Sequence, residues 1–241
     1  MRHDVFHVLK GNDVLALWEA GASQPPDRVM DMLLSAVLPE GAPFWIRDAS
    51  VGQKNAVLLR LYQRWFGDAL SACVECPSCG EKLETRLQAS DILSAVGDEL
   101  PKTCMLDDGR QMRFPGFSDL QTADAFQDEK NAVLSLLRSC LIDSDGMSDG
   151  DVLAYRSEVE CAIEKHDPLF LISLELHCNE CDTSFESVLD IAHFLMQNFS
   201  GLAKGMLYDV HVLAQHYGWK EGDILNMSMT RRKAYMRLIE G

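Results

Sequence analysis

Apolar positions recur every three or four residues over much of the chain, and the longest such run lies near its end. Ile191, Leu195, Phe199, Leu202, Met206, Val210, Leu213 and Tyr217 step by 4, 4, 3, 4, 4, 3 and 4. That spacing keeps side chains on one face of an α-helix. A long helix from Asp190 to Gly218 is expected, and Gly201 and Gly205 allow a kink or break in it near Ser200. Near the start, residues 12–20 form a short helix, capped by Asn12 or Asp13 and stopped by Gly21. Pro25-Pro26-Asp27 opens a second, which runs through Met30, Met32, Leu33, Leu34 and Val37 to a stop at Pro39. A third begins at Ser50 or Gly52 and ends at Gly67. Its stripe is Val57, Leu58, Leu61, Tyr62, Trp65 and Phe66, with Lys54, Arg60 and Arg64 largely off it.

The pattern then changes. Ala72 to Arg86 reads as strand, tight turn, strand around Cys76-Pro-Ser-Cys79-Gly80. A helical turn at 91–96 and a strand from Arg110 to Phe114 follow, then helices over about 117–128, 130–141 and 149–165. Asp167-Pro168 breaks the last of these. A strand from Phe170 to Leu176 leads into Cys178-Asn-Glu-Cys181, and Phe185 to Leu189 leads out. A short turn at 221–226 precedes a final helix, capped by Ser228 or Thr230 and ending at Ile239. The expected fold is α+β and mainly helical, with two small β-hairpin knuckles.

The two CxxC turns carry the chemistry. Zinc takes four ligands in a tetrahedron, and each CxxC presents two sulfurs on one side of a tight hairpin. Gly80 suits a positive φ in the first turn and Pro77 stiffens it. Cys76, Cys79, Cys178 and Cys181 together complete a closed four-thiolate site, which leaves no position for water or substrate. The expected cofactor is therefore a structural Zn²⁺. The knuckles are separated by 98 residues (80–177), against about 15–20 in a compact ribbon. The reading is a zinc ribbon split by an inserted helical subdomain, tolerable because loop-closure entropy rises only logarithmically with length. The expected regions are 1–70 helical, 71–90 and 170–190 as the ribbon hairpins, 91–169 as the insertion, and 191–241 helical.

Three alternatives stand beside this. The pairs could be redox-active thiols, although neither opens the helix of a βαβ unit. The site could have lost its metal. Cys73 could replace Cys76, since Cys73, Cys76 and Cys79 are evenly spaced; the Cys-Pro-x-Cys-Gly turn favours the later pair and leaves Cys73 a spectator. Cys104, Cys140 and Cys161 fit interior positions, where cysteine acts as a small apolar residue.

Other signals lead nowhere. The acidic run from Asp143 to Asp151 departs from a calcium loop, with Met147 at position 5 and Ala154 at position 12. It reads as a solvated loop that caps the next helix. His193, His211 and His216 lack the acidic partner of a metalloprotease helix. Phosphate-binding Gly-rich loops and nucleophile elbows are missing, so no catalytic residues are assigned and no enzyme is expected.

Charge narrows the partners. The net charge is −15 and the pI about 4.8, which disfavours nucleic acid and anionic membranes and suits a chain that meets other proteins. Met1-Arg-His-Asp-Val-Phe-His has no signal-peptide run and nothing approaches a bilayer span, so the expectation is a soluble cytoplasmic protein. Arg231, Arg232, Lys233 and Arg237 form a basic end, either a solvated helix face or a docking site for an acidic partner.

Several stretches, in order, resemble one family. They are Leu15-Ala-Leu-Trp18-Glu-Ala-Gly21, Gly52-Gln-Lys-Asn-Ala-Val-Leu-Leu-Arg-Leu61, Trp65-Phe-Gly67 and Cys76-Pro-Ser-Cys-Gly-Glu-Lys-Leu-Glu84. Further on come Asp190-Ile-Ala-His-Phe-Leu195, Val210-His-Val-Leu-Ala214, Tyr217-Gly-Trp219, Glu221-Gly-Asp-Ile-Leu225 and Arg231-Arg-Lys-Ala-Tyr235. The pattern is similar to the baseplate hub assembly chaperones of contractile-tail, T-even-like phages and of related phage-tail-like injection systems. The resemblance implies a non-enzymatic assembly factor or structural component of a contractile-tail baseplate. It would have other baseplate or tail proteins as partners, and a place in the producing bacterium or in the tail particle. The alternative from another class is a zinc-ribbon regulator or nucleic-acid-associated protein.

Overall fold

A computed structural model describes residues 6–7, 9–21, 23, 26–38, 49–94, 96 and 100–240. The fold is α+β and mainly helical, with three separate two-stranded antiparallel sheets among the described residues. The elements are α1 (Gly11–Gly21), α2 (Pro26–Val37), α3 (Val51–Phe66), β1 (Ala69–Glu75), β2 (Lys82–Gln88), α4 (Ala89–Ser94), β3 (Thr103–Met105), β4 (Gln111–Arg113) and α5 (Phe117–Asp124). Then come α6 (Glu129–Cys140), α7 (Asp149–Ala154), α8 (Arg156–His166), β5 (Ser173–Cys178), β6 (Thr183–Val188), α9 (Ile191–Tyr217), α10 (Glu221–Leu225) and α11 (Met229–Glu240). The chain divides into two compact units: residues 44–191 form one, and residues 2–43 with 192–241 form the other. The expected start of α2 at Pro25 and its stop at Pro39 lie outside the described residues.

In the first unit α3 is buried almost all round, from Val51 through Leu58, Leu59 and Leu61 to Tyr62. Ser50 starts it: the Ser50 hydroxyl accepts from Gln53 N–H, and Gln53 Oε1 accepts from Ser50 N–H, at 3.1 and 3.0 Å. This reciprocal cap satisfies two otherwise orphaned donors. Lys54 does not stand off the stripe as its charge suggests. It is 8 % exposed, with its ammonium 5.1 Å from the centre of the Phe117 ring, a cation–π arrangement over a long apolar stem. Tyr62 donates to the Ala69 carbonyl and Gln63 to the Asp68 carboxylate, so the end of α3 is tied to the start of the first hairpin.

Residues 103–166 hold a core of their own, with Met112, Phe114, Leu137, Cys140, Val152 and Val159 buried together. A third hairpin, β3–β4, lies here. Only its second strand was expected, because Thr103–Met105 is three residues long and shows no alternation. The single helix expected over 149–165 is two, parted at Tyr155. Ser148 caps α7, accepting from Asp151 N–H, so the acidic loop does end in a helix cap. Cys140 is fully buried, and burial pushes its thiol up to about 11. Cys161 departs from the expectation and is exposed.

In the second unit α9 runs 27 residues without a break. Gly201 and Gly205 lie within it with open space where a Cβ would stand. Both are fully helical, so the allowed break does not occur. Leu195, Phe199, Ala203 and Leu213 are fully buried along it, the leucines and Phe199 each contributing about 1.5–3 kcal/mol by removal from water. Trp18 of α1 donates to Ser200 of α9 at 3.1 Å. Gly11 abuts Leu225, where a Cβ would stand 2.9 Å from the Leu225 carbonyl oxygen. Leu213, Ile224 and Met236 bury one another at the C-terminal end, with Trp219 and Tyr235 packed against them.

Candidate metal centre

Each CxxC turn closes a regular antiparallel hairpin. In the first, Glu75 pairs with Lys82, and beyond that pair Cys76 N–H donates to the Glu81 carbonyl at 2.8 Å. In the second, Cys178 pairs with Thr183. Cys76–Glu81 and Cys178–Thr183 have the same five-residue offset, so the two knuckles leave their strands in the same register. Gly80 N–H donates back to the Cys76 carbonyl at 2.9 Å and Gly80 sits at φ 76°. The residue in its place in the second knuckle is Asp182, at φ 56°. Left-handed backbone is open to aspartate at modest cost, and this is how the second turn forms without the Pro and Gly of the first. Asp182 also pairs with His177 Nε2 at 3.2 Å.

The four sulfurs converge. Cys76 Sγ lies 3.7 Å from Cys181 Sγ, and Cys79 Sγ lies 3.6 Å from Cys178 Sγ. All four are within 4.8 Å of one another. These separations are far from the roughly 2.05 Å of a disulfide. A tetrahedron with metal–sulfur bonds of about 2.3 Å has sulfur–sulfur edges of about 3.8 Å. The donor set therefore fits a metal ion held by thiolates alone. First cysteine pairs with second across the hairpins, 76 with 181 and 178 with 79, as an approximate two-fold relation between the knuckles requires. Cys76 and Cys178 are buried, Cys181 is half-buried and Cys79 faces solvent.

Electrostatics points the same way. The Thr183 hydroxyl, 3.4 Å from Cys181 Sγ, stabilises the thiolate and brings Cys181 down to about 7 against partial desolvation. Cys79 accepts from the Glu81 backbone, which favours its thiolate, but the neighbouring thiols and desolvation outweigh that and push it up to about 12. Four thiols packed this closely cannot all ionise alone; a divalent cation removes the conflict.

Cys73 is exposed on β1 opposite Glu84 and lies outside the cluster. Thr183, Glu81 and Asp182, which shape the site, were not singled out in the sequence. Aspartate directly after the second cysteine, in the position of Gly80, was the available signal. Among the described residues no other group of three or more His, Cys, Asp and Glu side chains converges in this way. His177 also contacts Ser184 through Nδ1 at 3.1 Å, and its Asp182 partner is 97 % exposed.

The basic end does not form one patch. Arg232 is 2 % exposed, and its Nε donates to Asp209 of α9 at 3.0 Å. Helical geometry turns position 232 inward, so its charge serves the interior of the unit and is removed from the expected docking set. Arg231, Lys233 and Arg237 remain exposed, with Arg231 over the Tyr235 ring.

Comparison of the chain with protein-family models, curated proteins and solved structures finds no match. Among the described residues no helix is long and apolar enough to cross a membrane. The site defines the protein at the level of class: a helical α+β chain in which two distant hairpins bring together four cysteines able to hold a metal ion.

Proposed function

We propose that the chain is a non-enzymatic assembly factor or structural component of a phage or phage-like contractile-tail baseplate, held in shape by a structural zinc. The observation that carries the metal is the pair of cross-hairpin sulfur distances, 3.6 and 3.7 Å, on four thiolates with no open position. An all-sulfur tetrahedral set suits zinc or iron; zinc, having no redox chemistry, suits a site whose role is to clamp. The baseplate role rests on the ordered likeness of Leu15–Gly21, Gly52–Leu61, Trp65–Gly67, the first knuckle and the segments of α9 to α11 to the baseplate hub chaperones. A net charge of −15 supports protein partners over nucleic acid.

The experiment is affinity capture of the tagged full chain from a bacterium producing contractile tails, at low and high salt. Baseplate and tail proteins are the expected captures. Lys233→Glu with Arg237→Glu should weaken capture if the exposed part of the basic end docks an acidic partner. Capture of nucleic acid, or tails that assemble normally without the protein, would remove the reading.

A further inference from the structure

We infer that the four-cysteine cluster is also an oxidation site, at which hydrogen peroxide or a similar two-electron oxidant converts the thiolates into two disulfides that bridge the hairpins, Cys79–Cys178 and Cys76–Cys181. The inference rests on the sulfur geometry and not on the baseplate reading, and it holds whichever divalent metal the cluster carries. The two cross-hairpin pairs already stand at 3.6 and 3.7 Å, so closing each bond needs a movement of about 1.6 Å to reach disulfide length. One member of each pair can be reached from solvent: Cys79 is exposed and Cys181 half-buried, while Cys178 and Cys76 are buried behind them. An exposed attacking thiol with a buried resolving thiol in van der Waals reach is the arrangement that turns a first oxidation into a disulfide rather than a higher oxide.

The step balances. In each pair the solvent-reached cysteine, Cys79 or Cys181, attacks one peroxide oxygen as its thiolate, the O–O bond breaks, and hydroxide leaves, giving a sulfenic acid. Its buried partner, Cys178 or Cys76, then attacks that sulfur as a thiolate, forms the S–S bond and expels a second hydroxide. Two electrons pass from the sulfurs to peroxide, and two protons convert the hydroxides to water. A second peroxide closes the other pair in the same way. Disulfide sulfur is a poor ligand, so the metal leaves as the bridges form, yet each bridge still ties one hairpin to the other. Bridges inside a knuckle would instead leave the hairpins unlinked.

The test uses the full chain carrying Cys73→Ser and Cys161→Ser, which removes the exposed competing thiols outside the cluster. Metal content of the reduced protein is measured first, which judges the zinc reading by itself. Peroxide is then added at one and two equivalents per chain, with metal release followed by a chromogenic chelator and bridges mapped by mass spectrometry after non-reducing digestion. One bridge should form per equivalent, with Cys79–Cys178 and Cys76–Cys181 both complete at two and metal released in step, and thiol reductant plus zinc should restore the starting state. Cys79→Ser should lose the Cys79–Cys178 bridge completely. Bridges Cys76–Cys79 or Cys178–Cys181, or sulfinic acid at Cys79 without any bridge, would overturn the inference even where the reduced protein holds its zinc.

Discussion

A Cβ on residue 52 would stand 1.7 Å from Oδ1 of Asp167, so the second residue of α3 and the carboxylate that follows α8 fit together only because residue 52 is glycine. Asp167 is 1 % exposed and faces the Ser50 hydroxyl and the Gly52 N–H without a well-formed hydrogen bond to either oxygen. The returning chain is thus seated against the start of the central helix. Gly52→Ala should destabilise the protein by about 1–3 kcal/mol through overpacking, and Asp167→Ala in the same chain should recover part of the loss. Urea unfolding of the two single variants and the double variant measures the coupling.

Burial raises the Asp167 carboxyl above its ordinary 3.8, against the lowering influence of Ser50 and Gly52. The folded state therefore binds this proton more tightly than the unfolded chain. That contribution to stability is fully present below 3.8 and is lost as pH rises through the raised folded value. Asp167→Asn should flatten this part of the stability profile as pH rises from 3.8. Midpoints of denaturant unfolding across that range provide the check; parallel profiles for the two proteins would show that Asp167 is not the group responsible.

Asp119 acts in the opposite sense. It is desolvated, but Arg113 grips it with two hydrogen bonds of 2.7 and 2.8 Å and Gly116 N–H adds a third, holding its carboxyl below the ordinary value. Its contribution is present above 3.8 and disappears as pH falls through the lowered folded value. Asp119→Asn should cost about 1–3 kcal/mol at pH 7 and little near pH 2. Thermal melts at both pH values separate the two cases.

The metal centre predicts about one zinc per chain in protein kept reduced. Cys76→Ser and Cys178→Ser should each lose it and Cys73→Ser keep it, as read by elemental analysis. Removing the metal should lower stability by about 3 kcal/mol or more, and Tm by roughly 6–12 °C for a chain of this size. An unchanged melt after verified removal would show that packing alone holds the hairpins together. Asp182→Gly should keep both metal and stability, whereas Asp182→Val should cost about 1–2 kcal/mol, because a branched side chain resists the left-handed turn.

Arg232 and Asp209 form an ion pair whose side chains are 3 % and 21 % exposed. Arg232→Ala should destabilise by about 3 kcal/mol, since it strands a partly buried carboxylate, while Lys233→Ala should stay within about 0.5 kcal/mol. A double-mutant cycle with Asp209→Ala isolates the pair. Arg232 is therefore the wrong residue with which to probe docking, because its loss damages the fold first.

The sequence by itself determined the features that depend on near neighbours. The 3.6-residue period marks α3 and α9 because side chains three and four apart share a helix face. CxxC between alternating strands marks the knuckles because a tight hairpin turn is needed to aim two sulfurs one way. Even there, local rules overreached at Gly201 and Gly205: glycine lowers helix propensity, but the buried face of Leu195, Phe199 and Leu213 carries the helix through.

Tertiary structure decided what depends on partners far away in the chain. Spacing alone could not say that Cys76 would meet Cys181 across 104 intervening residues and Cys79 meet Cys178 across 98, since loops of that length restrain their ends only weakly. Nor could local pattern group residues 2–43 with 192–241, or place α3 with the hairpins instead. Whether a cation lies inside or outside is settled by what packs over it. Lys54 and Arg232 look like solvated charges, yet Phe117 and Asp209 receive them. A charge is buried only where a fixed partner offsets its loss of water, and that partner comes from the fold.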